Sequence, residues 1–173
     1  MKAMQMIFKN FRQVWLLLLI LITLDCISLS ARTEKEAPLP DFTYLLASGK
    51  EGTLWGILAD YTLIYLNNTD CDICRHLSDS LAASPVISRM VGLKTLTVLG
   101  LYPDSDTAAW KARPTHLLPA WINACDVNLS VVMDDRYDVK HIPSLYLLDR
   151  QKKFLLKDVS VRELERFLQG KQK

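Results

Sequence analysis

The residues whose types and spacing predict a specific chemistry are Cys71 and Cys74, which are separated by Asp72 and Ile73. Two cysteines spaced in this way at the start of a helix can act in turn. The first thiolate attacks a disulfide, and the second thiol resolves the mixed disulfide that forms. A helix N-terminus stabilises an anion and lowers the pKa of a thiol placed there. The spacing therefore predicts disulfide exchange, with Cys71 attacking, Cys74 resolving and no cofactor besides their own redox-active disulfide.

The same spacing has other interpretations. A C-x-x-C pair can be half of a structural zinc site, but such a site needs two more ligands. The candidate ligands are Cys125, His76, His116 and His141. No two of them are spaced as a second pair of ligands would be, so we expect no metal site. A buried structural disulfide and a copper-carrying thiol pair assisted by a histidine remain as alternatives.

The cysteines need a strand that ends beside them and a helix that begins there. Tyr61–Leu66 is rich in aromatic and β-branched residues and almost continuously apolar, which is typical of a central strand buried on both faces. Thr69 and Asp70 are favoured helix-capping types, so we expect a helix from Cys71 to about Ala83.

Turn and cap residues predict the other elements. Further strands are expected at Leu93–Tyr102, Ser144–Leu148 and Phe154–Lys157, the last two as an antiparallel hairpin. Further helices are expected at Phe42–Ala47, after Ser84-Pro85, from Asp106 towards Arg113, at Trp121–Ala124, and after the capping-box pair Ser160 and Glu163. The resulting order, β, α, β, α, β, β, α, is that of an α/β domain.

The N-terminus has the pattern of an export signal. Lys2, Lys9 and Arg12 precede the apolar run Val14–Leu24, which has eleven residues and is closed by Asp25. At about 1.5 Å per residue, this run is too short to cross a hydrocarbon layer of about 30 Å. We therefore predict a signal peptide over residues 1–30 and a periplasmic location.

The end of this signal can be interpreted in two ways. Ser28 and Ser30 form a small-x-small site, which favours cleavage near Ser30–Ala31. Cys26 offers the alternative of a lipid-modified, membrane-anchored protein. The charged Asp25 before it departs from the Leu-x-small-Cys pattern of lipoprotein signals.

The composition after residue 30 limits the partners. Residues 31–173 contain 18 basic and 18 acidic residues, a balance that argues against nucleic acid as a partner. Three cysteines remain there, an odd number that fits one reactive pair and one spare better than a structural disulfide framework. We predict a tether with a short irregular or helical segment over residues 31–58, and the folded domain over residues 59–170.

Two motifs carry a resemblance to a known family. Thr69–Cys74 resembles the active-site turn of thioredoxin-like proteins, and Ile142-Pro143-Ser144 resembles their Ile-Pro-Thr strand start. Residues 61–168 as a whole are similar to small exported bacterial proteins of the TlpA and ResA type. The resemblance implies a thioredoxin-like three-layer sandwich, in which a central mixed sheet is flanked by helices, and the activity of a thiol–disulfide oxidoreductase.

The resemblance also assigns roles to residues. It implies that Pro143 is a cis-proline beside the cysteine pair and that Ile142 offers backbone groups to a substrate strand. Asp72 and Ile73 would contact the substrate from between the cysteines. The implied partners are protein thiols or disulfides and an upstream electron donor.

The departures from the family pattern concern charge and proton transfer. Asp72 and Ile73 stand where thioredoxins commonly have Gly-Pro, and Asp70 and Asp72 both oppose thiolate formation at Cys71. These acids predict a reductant rather than a strong oxidant. Tyr65 occupies the position of the buried carboxylate that usually accepts the proton of the resolving thiol.

The other charged residues near the pair and the third cysteine are expected to have no role in the chemistry. Arg75 and His76 follow Cys74 and are expected to be solvated, and Cys125 is expected to be a small buried side chain. A non-catalytic binding or scaffold protein is the main competing function, and exposure of Cys71 would distinguish it. A copper-handling protein would need a histidine near the pair, for which His141 is the candidate by analogy with the family.

Overall fold

The computed structural model describes residues 37–112 and 117–171. The predicted signal peptide, its cleavage site, the lipidation alternative at Cys26 and the candidate ligand His116 lie outside these residues. The strands are β1 (Thr43–Leu46), β2 (Glu51–Thr53), β3 (Tyr61–Leu66), β4 (Leu96–Tyr102), β5 (Ile122–Cys125), β6 (Ser144–Leu148) and β7 (Phe154–Lys157). The helices are α1 (Asp72–Ala82), α2 (Pro85–Gly92), α3 (Thr107–Ala112) and α4 (Val161–Gly170).

The seven strands form one mixed sheet in the order β2-β1-β5-β4-β3-β6-β7. Strand β3 runs parallel to β4 and antiparallel to β6, and β4 runs parallel to β5. The carboxyl ends of β3, β4 and β5 therefore meet at one edge of the sheet, where the chain enters α1. None of the described helices is long and apolar enough to cross a membrane.

Alternating side chains along the inner strands supply two separate cores. Leu63 and Tyr65 of β3 pack on one face of the sheet with residues from α1, α2 and α4. Ile64 and Leu66 point to the other face, which residues such as Leu54 and Tyr137 cover. A strand buried on both faces reads as a continuous apolar run, which is why β3 was recognisable from sequence.

The structure confirms the predicted fold class, an α/β mixed sheet with helices of the thioredoxin-like type. Strand β3 and the β6–β7 hairpin have the predicted bounds, and β4 begins three residues later than predicted. Helix α2 begins with Ser84 as its cap, and α4 has the predicted capping box of Ser160 and Glu163.

Two expected helices are wrong. Residues Phe42–Ala47 contain strand β1, because the following residues turn the chain back into β2: Gly49 adopts φ +82°, and the N–H of Leu46 donates to the carbonyl of Lys50 at 2.8 Å. Residues Trp121–Ala124 instead lie mostly in β5, whose pairing with β4 and β1 on its two edges overrides the weak local preference of so short a segment.

Lys152, in the turn of the β6–β7 hairpin, bonds the segment that leads into β3 and β3 itself. Its side chain is buried, and its ammonium donates to the carbonyl of Ile57 at 2.7 Å and to the hydroxyl of Thr62 at 3.0 Å. Its own carbonyl accepts from the N–H of Leu39 at 2.9 Å. Burial lowers the pKa of Lys152, and the nearby carboxylates oppose this change only in part.

Lys152→Met should lower the free energy of unfolding by about 2–3 kcal/mol, because it removes charge-assisted hydrogen bonds and leaves two buried acceptors unpaired. Denaturant unfolding measures the change. The matched control is Lys153→Met at the exposed neighbouring position, which should change the stability by less than about 0.5 kcal/mol.

A second readout for this variant is pH. Because the pKa of Lys152 is lower in the folded than in the unfolded chain, the unfolded chain binds more protons between these two pKa values. The contribution of Lys152 to stability should therefore rise with pH up to about 10.4, its ordinary pKa. The gap between parent and variant should widen as the pH is raised; a constant gap would contradict this assignment.

Candidate functional site

Cys71 and Cys74 form a disulfide at the N-terminus of α1, with their Cα atoms 5.1 Å apart. Cys71 is itself the N-cap residue of the helix, and its sulfur accepts the N–H of Cys74 at 3.1 Å. The expectation that Thr69 or Asp70 would cap the helix is therefore wrong. The sulfur takes the place of the usual capping oxygen, because the chain between β3 and α1 first completes a tight turn.

That turn is held by the side chain of Asn68 and the backbone of the neighbouring strand. The N–H of Asn67 donates to the carbonyl of Leu101 at 3.1 Å, which extends the pairing of β3 with β4 by one residue. The Asn68 side chain accepts the N–H of Asp70 at 2.9 Å, and its carbonyl accepts the N–H of Cys71 at 3.3 Å. These bonds set where Cys71 leaves the sheet.

The two sulfur-bearing residues differ in their access to solvent. Cys71 is partly exposed, whereas Cys74 is fully buried in the core between the sheet and the helices. Ile73, which lies between them in the sequence, has 70% of its surface exposed. An approaching thiol or disulfide can therefore reach Cys71 first, and Ile73 offers an apolar contact beside it.

The charges beside the pair are exposed. Asp72, in the first turn of α1, accepts a hydrogen bond from Arg75 at 2.5 Å, and both side chains are more than half exposed. Asp70 and His76 are also exposed. Solvent therefore screens each of these charges, and the pairing with Arg75 offsets part of the negative charge of Asp72.

Pro143 lies at the same edge of the sheet as Cys71. Ser144 begins β6 and pairs with Leu66, the last residue of β3, so the residues before Ser144 lie beside the chain that leads to the disulfide. The Ile142–Pro143 peptide bond is cis, as the resemblance implies. Ile142 is half-buried against the same core cluster as Cys71.

The loop before Pro143 is closed by side-chain hydrogen bonds. The hydroxyl of Ser144 donates to the carbonyl of His141, and the ring of His141 bonds the carboxylate of Asp138 at 2.6 Å. This bond raises the pKa of His141 and lowers the pKa of Asp138.

Within the described residues, 37–112 and 117–171, no group of three or more His, Cys, Asp or Glu side chains is arranged to hold a metal ion.

Cys125 is a free, buried cysteine, as predicted. Its sulfur donates to the carbonyl of Asp104 at 3.0 Å, and burial together with nearby carboxylates, Asp126 foremost, raises its pKa to about 11. Such a thiol is almost wholly protonated at neutral pH and is a poor nucleophile.

Sequence reasoning missed one contact of the site. Tyr65 is fully buried on the helix-facing side of β3, and its hydroxyl donates to the carbonyl of Cys74 at 2.5 Å. The sequence indicated only that Tyr65 stands where the family usually has a buried carboxylate. The alternation along β3 was the available signal, because it places Tyr65 on the same face as Leu63 and so beneath the helix.

Solved structures of bacterial proteins resemble this chain. A thioredoxin-like protein from Bacteroides caccae is 34% identical with a TM-score of 0.74; the match covers 87% of this chain and 56% of the other, so this chain spans little more than half of that relative. The C-terminal domain of an uncharacterized protein from Bacteroides fragilis is 39% identical with a TM-score of 0.72, over 78% of this chain and 96% of that one.

A more distant structure shares the fold. The thioredoxin domain of a thiol-disulfide oxidoreductase from Bacteroides vulgatus is 18% identical with a TM-score of 0.60, over 80% of this chain and 97% of that one. No protein-family model and no curated protein matches the sequence.

In the reduced chain, Cys71 should be alkylated by iodoacetamide faster than Cys74 or Cys125 at neutral pH. Cys71 combines exposure with the helix N-terminus, whereas the other two cysteines are buried. Mass spectrometry of peptides from a quenched time course measures each rate. Equal rates at the three cysteines would contradict the assignment of Cys71 as the reactive thiol.

Proposed function

The chain belongs to the family of thioredoxin-like proteins, and from this premise we propose that it is an exported thiol–disulfide oxidoreductase that reduces disulfides in protein substrates. The observation that carries the proposal is the disulfide itself, which joins a partly exposed helix-capping sulfur to a buried one. A disulfide with only a structural role has no need of an accessible sulfur at a helix N-terminus.

The proposed cycle begins with the dithiol form. The thiolate of Cys71 attacks a substrate disulfide, a mixed disulfide forms, and one substrate sulfur leaves as a thiolate that takes up a proton. The thiol of Cys74 then attacks the sulfur of Cys71, releases the second substrate thiolate and passes its proton to that thiolate or to water. The substrate gains two electrons, and the chain ends as the Cys71–Cys74 disulfide without any other cofactor.

Substrate contacts are proposed for the residues around the pair. The backbone of Ile142, beside Pro143 at the edge of the sheet, would pair with an extended substrate segment. Ile73, which is 70% exposed, would pack against an apolar side chain of that segment. Asp72 would contact polar groups of the same segment.

The direction of electron flow follows from the charges. A strong oxidant stabilises the thiolate of its reduced form, which requires concentrated positive potential around the attacking sulfur. Here the helix N-terminus favours the Cys71 thiolate, but Asp70 and Asp72, which flank Cys71 in the sequence, carry negative charges that oppose it. Arg75, in the same helix turn as Cys74, is bonded to Asp72. This balance supports a reductant.

The cellular setting is proposed from the sequence. Residues 1–30 would direct export to the periplasm, with a lipid anchor at Cys26 as the alternative. Because each cycle leaves the pair oxidised, the chain would need an upstream donor of electrons to return it to the dithiol.

The parent chain should catalyse reduction of a protein disulfide by dithiothreitol, and Cys71→Ser should abolish that catalysis. Cys74→Ser should accumulate a mixed disulfide with the substrate, because the resolving thiol is absent. Insulin turbidity and non-reducing electrophoresis measure the two effects, and Cys125→Ser is the matched control, with activity within about twofold of the parent. Full activity without Cys71 would contradict its role as the attacking thiol, and no activity in the parent would favour a scaffold role.

The Cys71–Cys74 pair should have a reduction potential closer to that of thioredoxin, about −270 mV, than to that of the strong oxidant DsbA, about −120 mV. Equilibration with glutathione redox buffers, followed by alkylation and mass spectrometry, measures it. Asp72→Asn should make the potential less negative, because it removes a charge that opposes the Cys71 thiolate. A parent value near −120 mV would contradict the reductant assignment.

A further inference from the structure

The hydroxyl of Tyr65 makes a side-chain hydrogen bond between the strand beneath the site and the backbone of one of the paired cysteines. The hydroxyl donates to the carbonyl of Cys74 at 2.5 Å, and both residues are fully buried. A helical carbonyl usually accepts one N–H from four residues on, so this contact adds a second anchor to the first turn of α1. The anchor ties a helix turn to a strand that is itself paired on both edges.

We propose that Tyr65 is a positioning residue for the resolving thiol: it holds the backbone of Cys74 in place so that its sulfur stays close to Cys71 when the disulfide is open. The proposal rests on the proposed function only in assigning the resolving role to Cys74. The hydroxyl touches no reacting atom, and its action passes through the backbone of Cys74.

The geometry explains why the anchor matters most in the dithiol. In the disulfide form, the covalent bond holds Cys74 beside Cys71 whatever the hydroxyl does. Once the bond is reduced, Cys71 remains at a helix boundary with partial exposure, and the Tyr65 bond still ties the first turn of α1 to the strand beneath it. Without that bond the turn has more conformations, so the effective concentration of the Cys74 thiol at Cys71 falls.

Two consequences follow from a lower effective concentration. The equilibrium for closing the disulfide becomes less favourable, so the pair becomes a weaker reductant. The resolving step, in which the Cys74 thiol attacks the mixed disulfide on Cys71 and expels the other sulfur, becomes slower. The first attack by Cys71 does not use the Cys74 thiol, so its rate should change much less than the rate of the resolving step.

The variant Tyr65→Phe tests the proposal, because it removes one buried oxygen and keeps the ring. The equilibrium constant for oxidation of the Cys71–Cys74 pair by oxidised glutathione should fall by about two- to tenfold. This range corresponds to the net contribution of one hydrogen bond to stability. Resolution of the glutathione mixed disulfide should slow by a similar factor, as followed by quenched-flow alkylation. The rate of the first attack, measured in a Cys74→Ser background, should change by less than about twofold.

The matched control is Tyr137→Phe. Tyr137 is also buried, but it packs on the opposite face of the sheet, and its hydroxyl has no hydrogen-bond partner in the described part of the chain. This control should leave the glutathione equilibrium unchanged. An equal shift in both variants, no shift in Tyr65→Phe, or an equal slowing of attack and resolution would each overturn the proposal.

The test stays decisive if Tyr65→Phe does not fold. Replacement of Tyr65 by 3-fluorotyrosine makes the hydroxyl a stronger hydrogen-bond donor with little change in shape. The equilibrium constant for disulfide formation against glutathione should then rise, and an unchanged constant would overturn the proposal. Failure of the proposed function is seen separately. A parent chain that reduces no protein disulfide still equilibrates with glutathione, and that equilibrium tests Tyr65 independently of any protein substrate.

Discussion

The pairing of β3 on both of its edges is the constraint on which the placement of the Cys71–Cys74 disulfide depends. The strand pairs with β4 on one edge and with β6 on the other, and Leu63, Ile64 and Leu66 on its two faces are fully buried. Such a strand cannot slip by one residue without exchanging its two buried faces. The end of β3, and therefore the start of α1 six residues later, is held in one place relative to the start of β6.

The difference between the two sulfurs follows from this placement. An N-cap side chain reaches the N–H of the third helical residue, and this is the relation between Cys71 and Cys74. The spacing of two intervening residues therefore brings the sulfurs together through ordinary capping geometry. The same geometry leaves the cap residue at the boundary of the helix and turns the other residue inwards, so that one sulfur is accessible and its partner is protected.

Local sequence signals sufficed where an element has a strong cap or a continuous apolar run. Strand β3, the Ser84 cap of α2 and the capping box of α4 are of this kind. Strands β1 and β5 were not predicted, because each has four residues and owes its conformation to partners distant in the chain. A segment of that length carries too few residues to separate a period of two from one of 3.6.

The site was predictable in part for the same reason. The cysteine pair has a local signature, and the register of β6 then explains how Pro143 comes to the same edge. The hydrogen bond from Tyr65 to Cys74 depends on how the helix crosses the strand, which no local pattern contains. The bonds from the buried ammonium of Lys152 to Ile57 and Thr62 likewise join residues about 90 positions apart, which no local pattern contains.

The charged groups around the site combine into a consistent electrostatic picture. His141 is the cation nearest to Pro143 in sequence when it is protonated, but its ring bonds Asp138, and the exposed pair adds little net potential. Arg75 is compensated by Asp72 in the same way. The helix N-terminus is then the main positive influence on the Cys71 sulfur, and Asp70 acts against it. A strong oxidant needs concentrated positive potential at its attacking sulfur, and this balance of charges is the basis on which we propose that the chain gives electrons to its substrates.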